Sequence, residues 1–213
     1  MLLVLCCSIQ AQAQDTIAHP VSPPVPAEVF AGDKRIAIQV LFNKKFSPKS
    51  RFSFFNVSMS TADYSNNASE NEFTTISSLK FEVLKGLAVT AGANINSANG
   101  LQPSAGFQYI FSKKNILAIV SPVIYFKPTT NFETFLLFVY RPAISRQLNL
   151  YTRLQALYNY NLQVDSHDRS YMYARLGLGY RNFAFGLGTN LDRYGPMKYL
   201  KENYGVFIQV EFF

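Results

Sequence analysis

Cysteine and long apolar runs are both scarce in this chain. The two cysteines, Cys6 and Cys7, lie together in the first apolar segment, so the remaining sequence carries none. This distribution leaves neither a disulfide framework nor a thiolate metal site. Although 48% of the 213 residues are hydrophobic, no stretch approaches the roughly 20 consecutive apolar residues that a membrane-spanning helix needs. The sequence therefore argues against thiol chemistry and against a helical membrane protein.

Clusters of basic residues and of metal ligands are also missing. The formal net charge is +7, but the lysines and arginines are spread along the chain and form no basic stripe of the kind that binds nucleic acid. Histidine occurs twice, at His19 and His167. The turn that holds His167 also contains Asp165 and Asp168, but no second group of ligands accompanies it. We therefore expect no nucleic-acid partner, no metal site and no cofactor.

The N-terminal segment has the features of a secretion signal. An apolar core at residues 2–7 is followed by Ala11 and Ala13, in the small-x-small pattern that signal peptidase recognises. We predict a signal peptide at residues 1–13. Because it lacks the usual basic start, we expect it to be truncated at its N-terminus. A plain apolar tail and a lipidated cysteine are the alternatives.

A proline-rich stretch follows the predicted signal peptide. Its prolines are Pro20, Pro23, Pro24 and Pro26. Such a stretch suits an extended linker, or a segment lying in a lumen, better than a central strand, because proline lacks the backbone N–H that a sheet needs. We predict a leader at residues 14–27 and a folded domain at residues 28–213.

Alternation of apolar and polar residues, the period of a β-strand, dominates the rest of the chain. In residues 148–163 the apolar set includes Leu150 and Leu154, and the polar set includes Arg153 and Asn159. A helix would mix those polar residues into its buried stripe, so a strand is the better interpretation. The same reasoning predicts about eleven strands in total, and the others lie at residues 34–43, 51–60, 74–84, 87–96, 104–112, 115–126, 132–141, 170–180, 183–190 and 203–213.

The connections and the C-terminus indicate the type of β-structure. Tight connections, such as Lys85 with Gly86, alternate with longer polar ones, such as residues 61–73, as they do at the two rims of an outer-membrane barrel. The last strand ends at Phe213, an aromatic terminus of the kind that barrel-assembly machinery recognises. From residue 34 onward the chain resembles the small outer-membrane β-barrel proteins of Gram-negative bacteria.

This resemblance implies an all-β, transmembrane, antiparallel up-and-down barrel in the bacterial outer membrane. It also implies contact with outer-membrane lipid, and with the barrel-assembly machinery during biogenesis. Bacterial barrels normally have an even number of strands. Either residues 25–31 add a strand to give twelve, which we predict, or residues 34–43 leave the wall and ten remain. A soluble β-cup that binds an apolar ligand is the competing interpretation, and it requires the aromatic residues to point inward.

One face of the predicted strands carries charged residues that would line the lumen: Lys80, Glu82, Glu133, Arg153, Arg175 and Glu211. In a narrow barrel such mixed charges either neutralise one another in ion pairs or line a path for solutes. In the second case Arg153 and Arg175 form a cationic constriction that Glu133 opposes. Four glycines of the same face either make room for a ligand or plug, or permit tight curvature; they are Gly177, Gly179, Gly186 and Gly188.

Two functions fit these observations. The first is a non-enzymatic barrel that acts as a narrow pore or as a structural or interaction component of the membrane. The second is a lipid-handling hydrolase at the outer rim, with His167 as base and Ser170 as nucleophile. In a regular strand Ser170 would point away from His167, so we expect His167 to be a solvated loop residue and assign no catalytic residue. The predicted outer-rim contact residues are His167, Asp168, Asp192, Arg193 and Tyr194.

Overall fold

The computed structural model describes residues 23–65, 67–126 and 128–213. The predicted signal peptide at residues 1–13 and most of the predicted leader at residues 14–27 lie outside the described residues. No helix in the described part of the chain is long and apolar enough to cross a membrane.

The fold is an all-β barrel of twelve antiparallel strands. The strands are β1 (Val25–Gly32), β2 (Arg35–Lys45), β3 (Phe52–Asp63), β4 (Glu72–Leu84), β5 (Leu87–Asn96), β6 (Gly100–Lys113), β7 (Ile116–Tyr125), β8 (Asn131–Tyr140), β9 (Leu148–Asn161), β10 (Ser166–Tyr180), β11 (Phe183–Tyr194) and β12 (Tyr199–Phe212). Each strand pairs with its neighbours in sequence, and one 3-10 turn at Ala68–Glu70 lies between β3 and β4. The predicted up-and-down fold and the count of twelve are confirmed, and the ten-stranded alternative is wrong.

The first strand closes the barrel. β1 pairs with β2 on one side and with β12 on the other, from Val25 opposite Phe212 to Gly32 opposite Gly205. The strand begins at Val25 and not at Glu28, because a proline near the start of a strand is tolerated where its missing N–H is not needed by the ladder. Closure gives every wall strand two partners, so no strand edge is left open.

The two rims of the barrel differ in their connections. The rim that holds Val25 and Phe212 is named the inner end, and the opposite rim is named the outer end. The predicted alternation of short and long connections holds only in part: residues 46–51 and 141–147 form longer connections at the inner end, and residues 33–34 form a tight turn at the outer end. The other inner connections are tight turns, at residues 85–86, 114–115 and 181–182.

The wall is mostly apolar outside, and its interior holds both polar and apolar side chains. In β10, Met172 and Leu176 point outward and are exposed, whereas Tyr173 and Arg175 point inward and are buried. All twelve strands leave large aliphatic or aromatic side chains exposed in this way. A soluble β-cup has the opposite distribution, so that interpretation is wrong. An apolar outer band around a polar interior is typical of a barrel that crosses a bilayer.

The glycines of the lumen face serve the packing of the barrel itself. Gly177 and Gly186 face each other across β10 and β11, and a Cβ at Gly177 would lie only 2.0 Å from the carbonyl oxygen of Phe185. A Cβ at Gly188 would lie 2.6 Å from Cδ of Arg175, so this glycine leaves room for the arginine side chain. Close packing within the wall therefore explains both glycines, and neither of them leaves space for a ligand or plug.

A charge on the outer face should destabilise the barrel in lipid. Leu176 points outward within β10 and is 58% exposed. We expect Leu176→Arg to lower the free energy of unfolding by about 2–4 kcal/mol, because lipid does not solvate the guanidinium. The measurement is urea titration of protein refolded into phosphatidylcholine vesicles. The control is Met197→Arg in the connection after β11, where Met197 is 92% exposed. Equal losses in the two variants would contradict a lipid-facing wall.

Candidate functional site

Two cavities occupy the two halves of the lumen. The outer vestibule has a volume of about 550 Å³, and amide, hydroxyl and carboxylate side chains such as Asn94 and Glu133 line much of it. The inner vestibule has a volume of about 470 Å³ and is lined by Glu28, Arg141 and Arg153 together with aliphatic residues. No described residue lines both cavities. Side chains of the lumen therefore separate the two cavities.

Four side chains between the vestibules meet in two pairs across the lumen, and we name them the septum: Gln39 of β2, Phe55 of β3, Phe135 of β8 and Gln155 of β9. Gln39 and Gln155 exchange two amide hydrogen bonds across the lumen, of 2.9 and 3.2 Å. The rings of Phe55 and Phe135 also meet across the lumen, with their centroids 6.2 Å apart. Gln155 is 0% exposed and Phe55 is 2% exposed, so the septum is closed to water.

A buried carboxylate binds two arginines on the inner side of the septum. Glu28 accepts hydrogen bonds from Nη2 of Arg153 at 2.8 Å and from Nη2 of Arg175 at 2.9 Å. The two arginines are directly paired residues of β9 and β10, and neither side chain is more than 5% exposed. The guanidinium of Arg175 lies over the ring of Phe30, 4.1 Å from its centroid. Two like charges therefore share one counter-ion in a nearly dry environment.

Glu133 does not oppose these arginines, contrary to the prediction from the sequence. It accepts hydrogen bonds from the hydroxyl of Tyr125 at 2.7 Å and from the amide of Asn159 at 2.8 Å. In the pairing of β8 with β9, Glu133 lies opposite Asn159, whereas Val139 lies opposite Arg153. Glu133 therefore belongs to the outer vestibule. Arg153 and Arg175 lie together in the lumen, but their counter-ion is Glu28 and not Glu133. Glu28 belongs to β1, which closes against the far end of the sequence.

The remaining predicted lumen residues form separate contacts nearer the inner end. Lys80 is buried and donates to two side-chain amide oxygens at 2.6 and 2.8 Å. Glu82 pairs with Lys45 at 2.6 Å, and Glu211 pairs with Arg141. The six predicted residues thus make several local ion pairs and hydrogen bonds instead of one constriction, which favours the ion-pair interpretation of the lumen charges.

The five predicted outer-rim residues are divided between the two faces of the wall. Asp192 accepts hydrogen bonds from two arginines at 3.1 and 3.2 Å, Tyr194 donates to a glutamate at 2.6 Å, and Asp168 accepts from an asparagine at 3.0 Å. These three residues point into the lumen. His167 and Arg193 point outward. The five residues therefore do not share one surface, because neighbouring residues of a strand face opposite sides of the wall, and their role in outer-rim contacts stays a prediction.

A second charge cluster lies on the wall of the outer lumen. Arg169 binds Asp192 at 3.1 Å and Glu72 at 3.3 Å, and Glu72 also lies 3.6 Å from Nζ of Lys201. Arg35 joins the cluster through Asp192 at 3.2 Å. In the described part of the chain, no group of three or more His, Cys, Asp and Glu side chains could hold a metal ion. The cluster is thus a network of ion pairs that braces the outer vestibule.

A β-bulge brings His167 and Ser170 together on the outer face. The register between β9 and β10 shifts between His167 and Arg169, so Asp168 and Arg169 both turn inward. Nε2 of His167 lies 3.0 Å from Oγ of Ser170, and Nδ1 lies 2.7 Å from the carbonyl oxygen of Gly195. The prediction that the two side chains point apart is wrong because it assumed a regular strand. The prediction of a solvated His167 is also wrong, since that residue is 5% exposed.

Sequence reasoning missed four residues that close the lumen or neutralise its charge: Glu28, Gln39, Phe55 and Phe135. The sequence does contain a signal for Glu28. The alternation of β1 places Glu28 on the same face as Phe30, which predicts that it points into the lumen. The other three meet partners on strands far away in the sequence. Local periodicity places such residues on the inner face, but it does not reveal which side chains meet across the lumen.

The comparisons with known proteins found similarity among solved structures. No protein-family model and no curated protein matches this chain. Among solved structures it is similar to the KdgM porin, with a TM-score of 0.47, 11% identity, and coverage of 89% of this chain and 99% of that chain. It is also similar to the NanC porin, with a TM-score of 0.47, 9% identity, and coverage of 88% and 98%. For the outer membrane protein OpdK from Pseudomonas aeruginosa the TM-score is 0.39, the identity 12%, and the coverage 80% and 65%. Similarities at this level carry no argument about function, and the assignment of the barrel rests on its strand pairing.

Removal of the Glu28 carboxylate should leave two buried arginines without their counter-ion. We expect Glu28→Ala to lower the free energy of unfolding by about 3–5 kcal/mol, the cost of breaking a buried ion pair from one side, measured by urea titration. The control is Glu202→Ala, since Glu202 pairs with Lys34 at 3.5 Å on the surface. We expect this control variant to lower the free energy of unfolding by less than about 1 kcal/mol. Small losses in both variants would show that water already solvates the arginines.

Proposed function

We propose that this protein lies in the bacterial outer membrane and forms a narrow pore that its septum closes in the present conformation. The observation that carries the proposal is the arrangement of the lumen. One vestibule lies toward each end of the barrel, and the four septum side chains lie between the vestibules. A solute that entered one vestibule would have to pass the septum in order to reach the other.

The wall supports the location. Every strand exposes at least one large aliphatic or aromatic side chain, although β3 and β4 also carry Asn56, Ser58, Thr75 and Ser77 on the outer face. Closure by β1 and β12 gives each described strand two partners inside the bilayer. We take outer-membrane lipid as the direct neighbour of this wall. The C-terminal Phe213 is exposed at the inner end, where the barrel-assembly machinery would recognise it during biogenesis.

The septum is held by contacts that side-chain motion can break. A neutral hydrogen bond contributes a net of only about 0.5–1.5 kcal/mol, and two such bonds join Gln39 to Gln155. All four septum residues belong to wall strands, so rotation of their side chains would open the septum. A structural or interaction barrel is the second interpretation, in which the septum never opens.

The fixed charges of the two vestibules favour weak selectivity. The inner vestibule has four cationic side chains, Lys113, Lys114, Arg141 and Arg153, and two carboxylates, Glu28 and Glu211. In the outer vestibule the balance is reversed, because three carboxylates, Glu72, Glu133 and Asp168, accompany Arg169 and Lys201. A permeating ion would be attracted at one end and repelled at the other. We therefore propose small polar solutes, with little discrimination by charge.

Weakening the septum tests the pore. In planar bilayers we expect the wild-type protein to show brief openings of small conductance. The double variant Gln39→Ala, Gln155→Ala should raise the open probability at least about fivefold, since the two amide hydrogen bonds stabilise the closed state by about 1–3 kcal/mol. The control is Gln102→Ala, which removes an amide that lines the outer vestibule outside the septum and should leave the open probability unchanged.

Each protein is first shown to be folded by its heat-modifiable mobility in gels. A large and steady conductance of the wild-type protein would contradict a closed septum. A folded double variant that remains silent would contradict the pore and favour the structural or interaction barrel.

A further inference from the structure

The outer face of β10 carries a serine and a histidine that the proposed pore does not use. Ser170 lies opposite Tyr158 of β9 and opposite Arg193 of β11. Tyr158, and Met172 two residues along β10, are exposed on the same face. Ser170 therefore lies at the outer margin of the apolar band, the level at which the polar groups of outer-leaflet lipids meet their acyl chains.

The hydrogen bonds of His167 determine which ring nitrogen can act as a base. Nδ1 lies 2.7 Å from the carbonyl oxygen of Gly195, and a carbonyl oxygen only accepts, so Nδ1 carries the proton of the neutral ring. Nε2 is then unprotonated and lies 3.0 Å from Oγ of Ser170, within reach of the hydroxyl proton. A nucleophile, a base and a third group that orients the base are the parts of an activated serine.

The surroundings hold this pair in place. The ring of Tyr158 packs against the imidazole with centroids 5.8 Å apart, and the backbone N–H of Gly195 donates to the carbonyl oxygen of Asp168 at 2.7 Å. The bulge that aligns His167 with Ser170 interrupts an otherwise continuous ladder between β9 and β10. Bulges are over-represented beside active sites, where they re-aim a side chain.

We propose that Ser170 and His167 form a hydrolytic site that cleaves acyl esters of lipids in the membrane around the barrel. Oγ of Ser170 forms a bond to the ester carbonyl carbon while its proton passes to Nε2 of His167. The bond from that carbon to the alcohol oxygen then breaks, and the alcohol leaves with the proton from Nε2. Water attacks the acyl-serine in the same way, which releases a fatty acid and restores the hydroxyl.

Arg193 supplies the positive charge at this site. It is exposed and directly opposite Ser170 in the ladder between β10 and β11, so both side chains lie on the outer face. A guanidinium in this place binds the phosphate of a lipid headgroup while the acyl ester lies at Ser170. The substrate class that fits the site is therefore an anionic diacyl phospholipid.

Covalent labelling and lipid hydrolysis test the proposal on the full-length folded protein. We expect a fluorophosphonate probe to label the wild-type protein, and we expect fatty acid release from phosphatidylglycerol vesicles. Ser170→Ala should abolish both signals. His167→Gln should reduce both by about 10²–10⁴-fold, the usual contribution of a general base. The matched control is Ser166→Ala, because Oγ of Ser166 contacts only a backbone oxygen, at 3.3 Å, and both signals should be unchanged.

Arg193→Ala tests the headgroup role. It should raise KM for phosphatidylglycerol and leave hydrolysis of an uncharged diacylglycerol unaltered, and an equal loss on both lipids would overturn the role of Arg193. Folding of every variant is read from heat-modifiable mobility. A folded wild-type protein that is neither labelled nor able to release fatty acid would overturn the proposed site, as would labelling that persists in Ser170→Ala. Since the site lies outside the lumen, neither result depends on whether the pore conducts.

Discussion

The pairing of β1 with β12 is the constraint on which the rest of the structure depends. Inside a bilayer no water satisfies an unpaired backbone N–H or C=O, so an open strand edge would cost several kcal/mol for each group. The pairing removes that cost for both terminal strands. It also fixes the register of β1, which points Glu28 and Phe30 into the lumen. The carboxylate that neutralises Arg153 and Arg175 is therefore a consequence of barrel closure.

The interior is filled by side chains that fit one another across strands. Gly188 has no Cβ, and Arg175 occupies the space that remains. Phe30 supports the guanidinium from its ring face, and Glu28 binds its edge. This part of the lumen resembles a protein core in which charged groups are paired. The septum differs, because two amides provide half of it and can be satisfied by water as well as by each other. That difference favours the septum as the part of the lumen that opens.

The sequence predicts the wall better than it predicts the lumen. The alternation in β9, β10 and β11 depends only on neighbouring residues, and each of these strands is found where the pattern places it. The alternation of apolar and polar residues does not by itself decide between ten and twelve strands, because the prolines at the start of β1 obscure the alternation there. Contacts across the lumen depend on register and closure, which no local pattern contains. That is why Arg153 and Arg175 are correctly assigned to the lumen while Glu133 is wrongly assigned as their partner.

The bulge between His167 and Arg169 shows how one local irregularity can affect both faces of the wall. In a regular strand, His167 and Arg169 would share one face, and Asp168 and Ser170 the other. The bulge turns Asp168 and Arg169 inward together, where Arg169 joins the cluster with Glu72 and Asp192. The same shift leaves His167 and Ser170 together outside. The ion pairs of the outer vestibule and the serine–histidine pair on the lipid side therefore have a common structural cause. A substitution that regularised this strand would disrupt both at once, whereas substitutions at Ser170 or in the septum separate them.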